Sequence, residues 1–121
     1  MANKILIVDD SLYMRTIIKD ALTSAGYEII GQAANGETAI DMAIEFQPDL
    51  ITLDNILPDM LGLDIVNVLK KEEIEAKVVM ISAVGQESVI EEGMRRGVFK
   101  YIVKPFTSEQ LVDAVKNALA N

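Results

Sequence analysis

Asp9 and Asp10 stand side by side directly after the apolar run Ile5-Leu6-Ile7-Val8, and Asp54 directly follows another, Leu50-Ile51-Thr52-Leu53. A further run ends in Met80-Ile81-Ser82-Ala83, which brings a hydroxyl, and the last in Tyr101-Ile102-Val103-Lys104-Pro105-Phe106, which brings an ammonium. If these runs are neighbouring parallel strands, three carboxylates share one end of a sheet, where ligands of open α/β folds gather. Two like charges ~4 Å apart at an effective dielectric of ~20 repel by about 4 kcal/mol, so the cluster needs compensation. Mg²⁺, a hard cation that takes oxygen ligands and keeps its waters, suits it. Three acids, one hydroxyl and one lysine can hold a metal and a small tetrahedral anion. An aspartate can also act as a nucleophile and form an acyl phosphate, with metal and lysine offsetting charge on the transferring phosphoryl group.

Each residue alone has a plainer account. Asp9 and Asp10 could cap a helix beginning near Ser11. Asp54 and Ser82 could open loops, and a lone lysine is usually a solvated charge. Their coincidence at successive run ends favours a site.

The elements that must position them follow from hydrophobic periodicity. Lys4–Val8, Glu28–Ala34, Leu50–Leu53, Val78–Ile81 and Tyr101–Val103 read as strands, three of them nearly unbroken and so covered on both faces. The second is looser and reads as nearer a sheet edge. Between them, Ser11–Ala25 carries Leu12, Ile17, Ile18, Ala21, Leu22 and Ala25 near one helical stripe, with Gly26 to end it. Gly36–Phe46 carries Ala39, Ile40, Ala43 and Ile44, and Pro48 blocks continuation. Leu63–Leu69, stopped by Lys70-Lys71, and Gln86–Arg96 give two more helices. The last opens at Thr107 with capping-box spacing to Gln110. This alternation predicts one α/β domain: a doubly wound five-stranded parallel sheet with helices on both faces.

Composition narrows the functions. The 121 residues include 11 Lys+Arg, 19 Asp+Glu, no His and no Cys, for a net charge of −8. That excludes the common zinc ligands, thiol redox chemistry and imidazole catalysis, and argues against nucleic-acid binding through a general basic surface. No run approaches the ~18 apolar residues of a membrane span or reads as a signal peptide, so membrane insertion is not expected. The cytoplasm is the default compartment.

Taken together, Ile5–Val8 with Asp9-Asp10-Ser11, Asp54-x3-Pro58-x3-Gly62, Met80-Ile81-Ser82-Ala83 and Lys104-Pro105-Phe106 resemble the receiver domain of two-component response regulators. The likeness is to the single-domain CheY-like class and covers essentially the whole chain, residues 1–121. It implies a flavodoxin-like strand order 2-1-3-4-5 and a phosphoryl group accepted by Asp54 from a partner histidine kinase or phosphotransfer protein. It also implies Mg²⁺ held by Asp9, Asp10, Asp54 and the backbone carbonyl of Ile56. Phosphate contacts would come from Ser82, Ala83 and Lys104, and switching from Ser82 with the rotamer of Tyr101. The Lys104–Pro105 bond would be cis. Ile56 and Val84 would flank the phosphoryl group; both are apolar, which predicts slow self-dephosphorylation. A downstream protein target would dock on the face of the fourth helix, fifth strand and fifth helix, with Ile90, Met94, Arg95, Arg96, Tyr101 and Phe106 as candidates.

The absence of histidine means the phosphoryl donor is another molecule, and the chain is a phosphoacceptor rather than an enzyme acting on others. A receiver cut from a larger regulator or hybrid kinase, and a phosphate sink or relay intermediate, are alternatives. A haloacid-dehalogenase-type phosphatase needs a second aspartate where Ile56 stands. A flavodoxin-like electron carrier needs a phosphate loop where Asp9-Asp10 repels anions.

Overall fold

Strands β1 (Lys4–Val8), β2 (Glu28–Ala33), β3 (Leu50–Leu53), β4 (Lys77–Ser82) and β5 (Lys100–Val103) alternate with helices along the chain. The helices are α1 (Leu12–Ser24), α2 (Gly36–Phe46), α3 (Gly62–Lys71), α4 (Glu87–Arg95) and α5 (Ser108–Ala120). The computed structural model describes residues 3–121. All strand pairings are parallel, in the order β2-β1-β3-β4-β5. The expected sheet and its order are therefore present, and the looser second strand lies at an edge.

Side chains alternate between two cores, as strand pleating requires. Leu6, Val8, Ile51, Leu53 and Met80 meet Ala39 and Ala43 of α2 and Val66 and Leu69 of α3 on one face. Ile5, Ile7, Leu50, Val79 and Ile81 meet Ile18 and Leu22 of α1 and Leu111 and Val115 of α5 on the other. The capping box at Thr107 forms in full: its hydroxyl accepts the Gln110 amide and the Gln110 side chain accepts the Thr107 amide.

Several local expectations are corrected. The first helix buries Ile18 and Leu22, while Leu12 and Ala25 are exposed; the stripe runs from Met14, and the first turn faces outward. Ile44 is likewise exposed. Lys70 and Lys71 lie inside α3, where cations favour the helix C-terminus. Ser11, not Asp9 or Asp10, caps α1, accepting the Met14 amide. The second strand ends at Ala33 and the fourth extends to Lys77 and Ser82.

Thr52 is paired in register with Ile7 and Val79 and is fully buried, and its hydroxyl has no hydrogen-bond partner. An unsatisfied buried polar group costs about 1–3 kcal/mol. Thr52→Val is therefore expected to raise stability by about 1 kcal/mol in urea unfolding. A loss of stability would mean the hydroxyl is satisfied.

Candidate functional site

The sheet ladder continues one residue past the strands and fixes the site. The Asp9 amide donates to the Ala33 carbonyl at 3.0 Å, that of Asp54 to Val8 at 3.0 Å, and that of Lys104 to Ser82 at 2.9 Å. Each side chain thus leaves the sheet from a backbone held by the neighbouring strand. The Lys104–Pro105 peptide is cis.

Lys104 Nζ bridges two acids, 2.8 Å from Asp9 Oδ2 and 3.1 Å from Asp54 Oδ2. The remaining oxygens accept backbone amides: Asp9 Oδ1 from Ser11 at 2.9 Å and Asp54 Oδ1 from Ile56 at 3.1 Å. Asp9 and Asp54 are buried and Asp10 is exposed. Burial pushes the Asp54 carboxyl above its ordinary range. The Ile56 amide and Lys104 pull it down without cancelling that effect, and the Asp9 charge adds to the rise. Burial draws the Lys104 ammonium the other way, but its hydrogen bond to Asp9 and the charges of both acids leave it more firmly protonated than usual.

Carboxylate oxygens of Asp9, Asp10 and Asp54 lie within 4.8 Å of one another. Three carboxylates against one ammonium leave two negative charges, which a divalent cation balances. The hard-oxygen donor set fits Mg²⁺.

The loop after Asp54 folds back on itself. Gly62 donates to the Asn55 carbonyl at 2.7 Å and Leu57 to the Met60 carbonyl at 3.3 Å, flanking an antiparallel bridge between Ile56 and Leu61. The Ile56 carbonyl lies outside that pair of bonds. A Cβ on Gly62 would stand 2.6 Å from the Asp54 carbonyl oxygen, so this crossing requires glycine.

Ser82 is buried at the end of β4 with its hydroxyl accepting the Val84 amide at 3.2 Å, and the side-chain hydrogen bonds of Asp54 and Lys104 do not include that hydroxyl. The Tyr101 hydroxyl donates to the Val84 carbonyl at 2.6 Å, and its ring is buried. Val84 therefore joins the two expected switch residues through its backbone. Ala83, next to Ser82, is exposed. On the neighbouring face Ile90 packs against the core, Phe106 is half-buried, and Met94 and Arg95 are exposed. Glu92 holds Arg95 at 2.6 Å and Arg96 at 2.8 Å.

Three supporting residues escaped the sequence reading. Asn55 is buried and its Oδ1 accepts the Leu63 amide at 3.1 Å, capping α3 from eight residues away. Arg15 donates to the Asp9 carbonyl at 2.6 Å. Asp59 accepts two amides of α2. None of these pairs follows a helix or strand period; adjacency to Asp54 was the one available signal for Asn55.

A family model described as the response regulator receiver domain matches residues 5–116. The chain belongs to this family. The receiver is 39% identical over 115 residues to the chemotaxis protein CheY of Thermotoga maritima, covering 95% of this chain and 96% of that protein. It is 38% identical over 119 residues to CheY of Bacillus subtilis, covering 98% and 99%. A solved CheX–CheY–BeF3–Mg²⁺ complex from Borrelia burgdorferi matches its fold with a TM-score of 0.89 and 32% identity, covering 95% of this chain and 87% of that one. The receiver is thus a two-component signalling module rather than a classical enzyme, with CheY relatives and an acidic triad typical of the family's Mg²⁺ site. Among the described residues no helix is long and apolar enough to cross a membrane.

Proposed function

We propose that this receiver is a phosphorylation-activated response regulator of the chemotaxis type, working in the cytoplasm, whose phosphoacceptor is Asp54. The observation that carries the reading is Lys104 Nζ bridging Asp9 and Asp54 beside the acidic triad. The ionised Asp54 carboxylate attacks the phosphorus of a phosphohistidine on a histidine kinase or phosphotransfer protein. An O–P bond forms, the P–N bond breaks, and the imidazole leaves. Asp9, Asp10, Asp54 and the Ile56 carbonyl hold Mg²⁺, which supplies positive charge against the phosphoryl oxygens. Lys104 keeps its bond to Asp9 and turns its second one from Asp54 to the phosphoryl group, with the Ala83 amide beside it. Acetyl phosphate with Mg²⁺ tests this: wild type is expected to acquire one phosphoryl group and Asp54→Asn none.

The Ser82 hydroxyl turns toward the phosphoryl group and gives up the Val84 amide. Val84 is then freer to release the Tyr101 hydroxyl, and the α4–β5–α5 face changes. A target that favours one of the two arrangements is regulated by the differential affinity alone. Nothing in this cycle requires nucleic acid or membrane insertion.

Ile56 is 50% exposed rather than packed into its loop, and it cannot hydrogen-bond a hydrolytic water. Ile56→Asn is expected to speed phosphate release several-fold, followed as decay of the acyl phosphate. Equal decay rates would remove Ile56 from control of that step.

A further inference from the structure

Asp59 lies at the exposed tip of the β3–α3 loop, yet both of its oxygens are engaged. Oδ1 accepts the Gly36 amide at 2.7 Å and Oδ2 accepts the Glu37 amide at 3.0 Å. The next amide of α2, Thr38, goes to Asn35 Oδ1 at 2.8 Å. The first three N–H groups of α2, orphans in any helix, are all satisfied, two of them by another loop. Gly36 makes the approach possible, because the Met60 side chain fills the space its Cβ would need. The two amides, Gly36 first, hold the Asp59 carboxyl below its ordinary range.

The contact joins the two segments that flank the acidic site. On one side is the loop bearing Ile56, whose outer internal bond, Leu57 to Met60, is 3.3 Å and weak. On the other is the turn after Ala33, whose carbonyl receives the Asp9 amide. Asp10, Asn35, Glu37, Pro58 and Asp59 line the open cleft between them.

We propose that Asp59 is a positioning residue for the metal: by clamping the β3–α3 loop to the N-terminus of α2, it sets the Ile56 carbonyl against Asp9 and Asp10. The inference rests on the Mg²⁺ site proposed above. Groups that orient metal ligands from outside the coordination shell are worth ~10–100-fold in affinity, and a clamp acting through a loop belongs at the lower end.

The test is calorimetric titration of Mg²⁺ into wild type, Asp59→Ala, Gly36→Ala and the double variant, with amide exchange at residues 36–38. Gly36→Ala keeps every charge and opens the clamp from its other side. Each single variant is expected to bind Mg²⁺ about tenfold more weakly, and the double variant no more weakly than either, since both break one contact. Unchanged Mg²⁺ affinity with faster exchange at Gly36 and Glu37 would reduce Asp59 to a helix cap and overturn the inference. So would weakening in Asp59→Ala alone, which would be a loss of charge. A wild type that binds no Mg²⁺ would overturn the site reading as well, a result distinct from wild-type binding that the variants leave unchanged.

Discussion

Lys104→Ala is expected to cost about 2–3 kcal/mol in Mg²⁺-free buffer and to regain much of it when Mg²⁺ is added. The lysine is the ammonium within hydrogen-bond reach of Asp9 and Asp54, whose side chains are 1% and 9% exposed. Breaking a buried ion pair by deleting one partner costs ~3–5 kcal/mol because the other charge stays behind; the 17% exposure of Lys104 moderates that figure. The raised ammonium pKa gives the sign with pH. Its contribution is complete below the ordinary value of 10.5 and is lost only as pH rises through the higher folded value. Urea unfolding with and without Mg²⁺ measures both arms. Midpoints equal to wild type in both would mean that something other than Lys104 compensates the acids.

Asp54→Asn is expected to raise the melting temperature at neutral pH without Mg²⁺, while it abolishes phosphorylation. Burial, opposed by the Ile56 amide and Lys104, leaves the folded-state carboxyl harder to ionise than the unfolded one. The folded state therefore holds this proton more tightly, and ionising Asp54 costs stability. The cost is complete above the folded pKa and vanishes as pH falls to the unfolded value of 3.8. The advantage of the asparagine variant shrinks over that interval. Mg²⁺ is expected to stabilise wild type by mass action at the proposed site and to narrow or reverse the difference. Thermal unfolding across pH, with and without the ion, gives the comparison; a variant less stable than wild type at neutral pH without Mg²⁺ would contradict it. A more stable variant would mean that burial places an electrostatic cost on Asp54 that the proposed Mg²⁺ would relieve.

The fold was legible because strands buried on both faces write themselves as near-continuous Ile, Val and Leu runs, as in Leu50–Leu53. Asp9, Asp54 and Lys104 were legible because they stand one residue beyond such runs. In a parallel sheet with the observed register, that position is a fixed place in space. The outward first turn of α1 was not, because Leu12 has the period of a core residue but lies beyond the reach of the second core. Asn55 and Asp59 were not legible either. Their partners are met only after the loop has folded: Leu63 lies eight residues from Asn55, and Gly36 and Glu37 lie more than twenty from Asp59, and neither spacing is a helix or strand period. A second feature of Val84 was not legible for a related reason: the sequence offers its side chain, and the backbone N–H and carbonyl that join Ser82 to Tyr101 show only in the folded chain.

The central claim, that Asp54 is a Mg²⁺-dependent phosphoacceptor, is most directly tested by intact-mass measurement after incubation with acetyl phosphate, followed by borohydride trapping and peptide mapping. The account predicts one phosphoryl group, carried by Asp54, formed only when Mg²⁺ is present and absent from Asp54→Asn. No adduct, an adduct formed equally without Mg²⁺, or one mapping to another residue would contradict it.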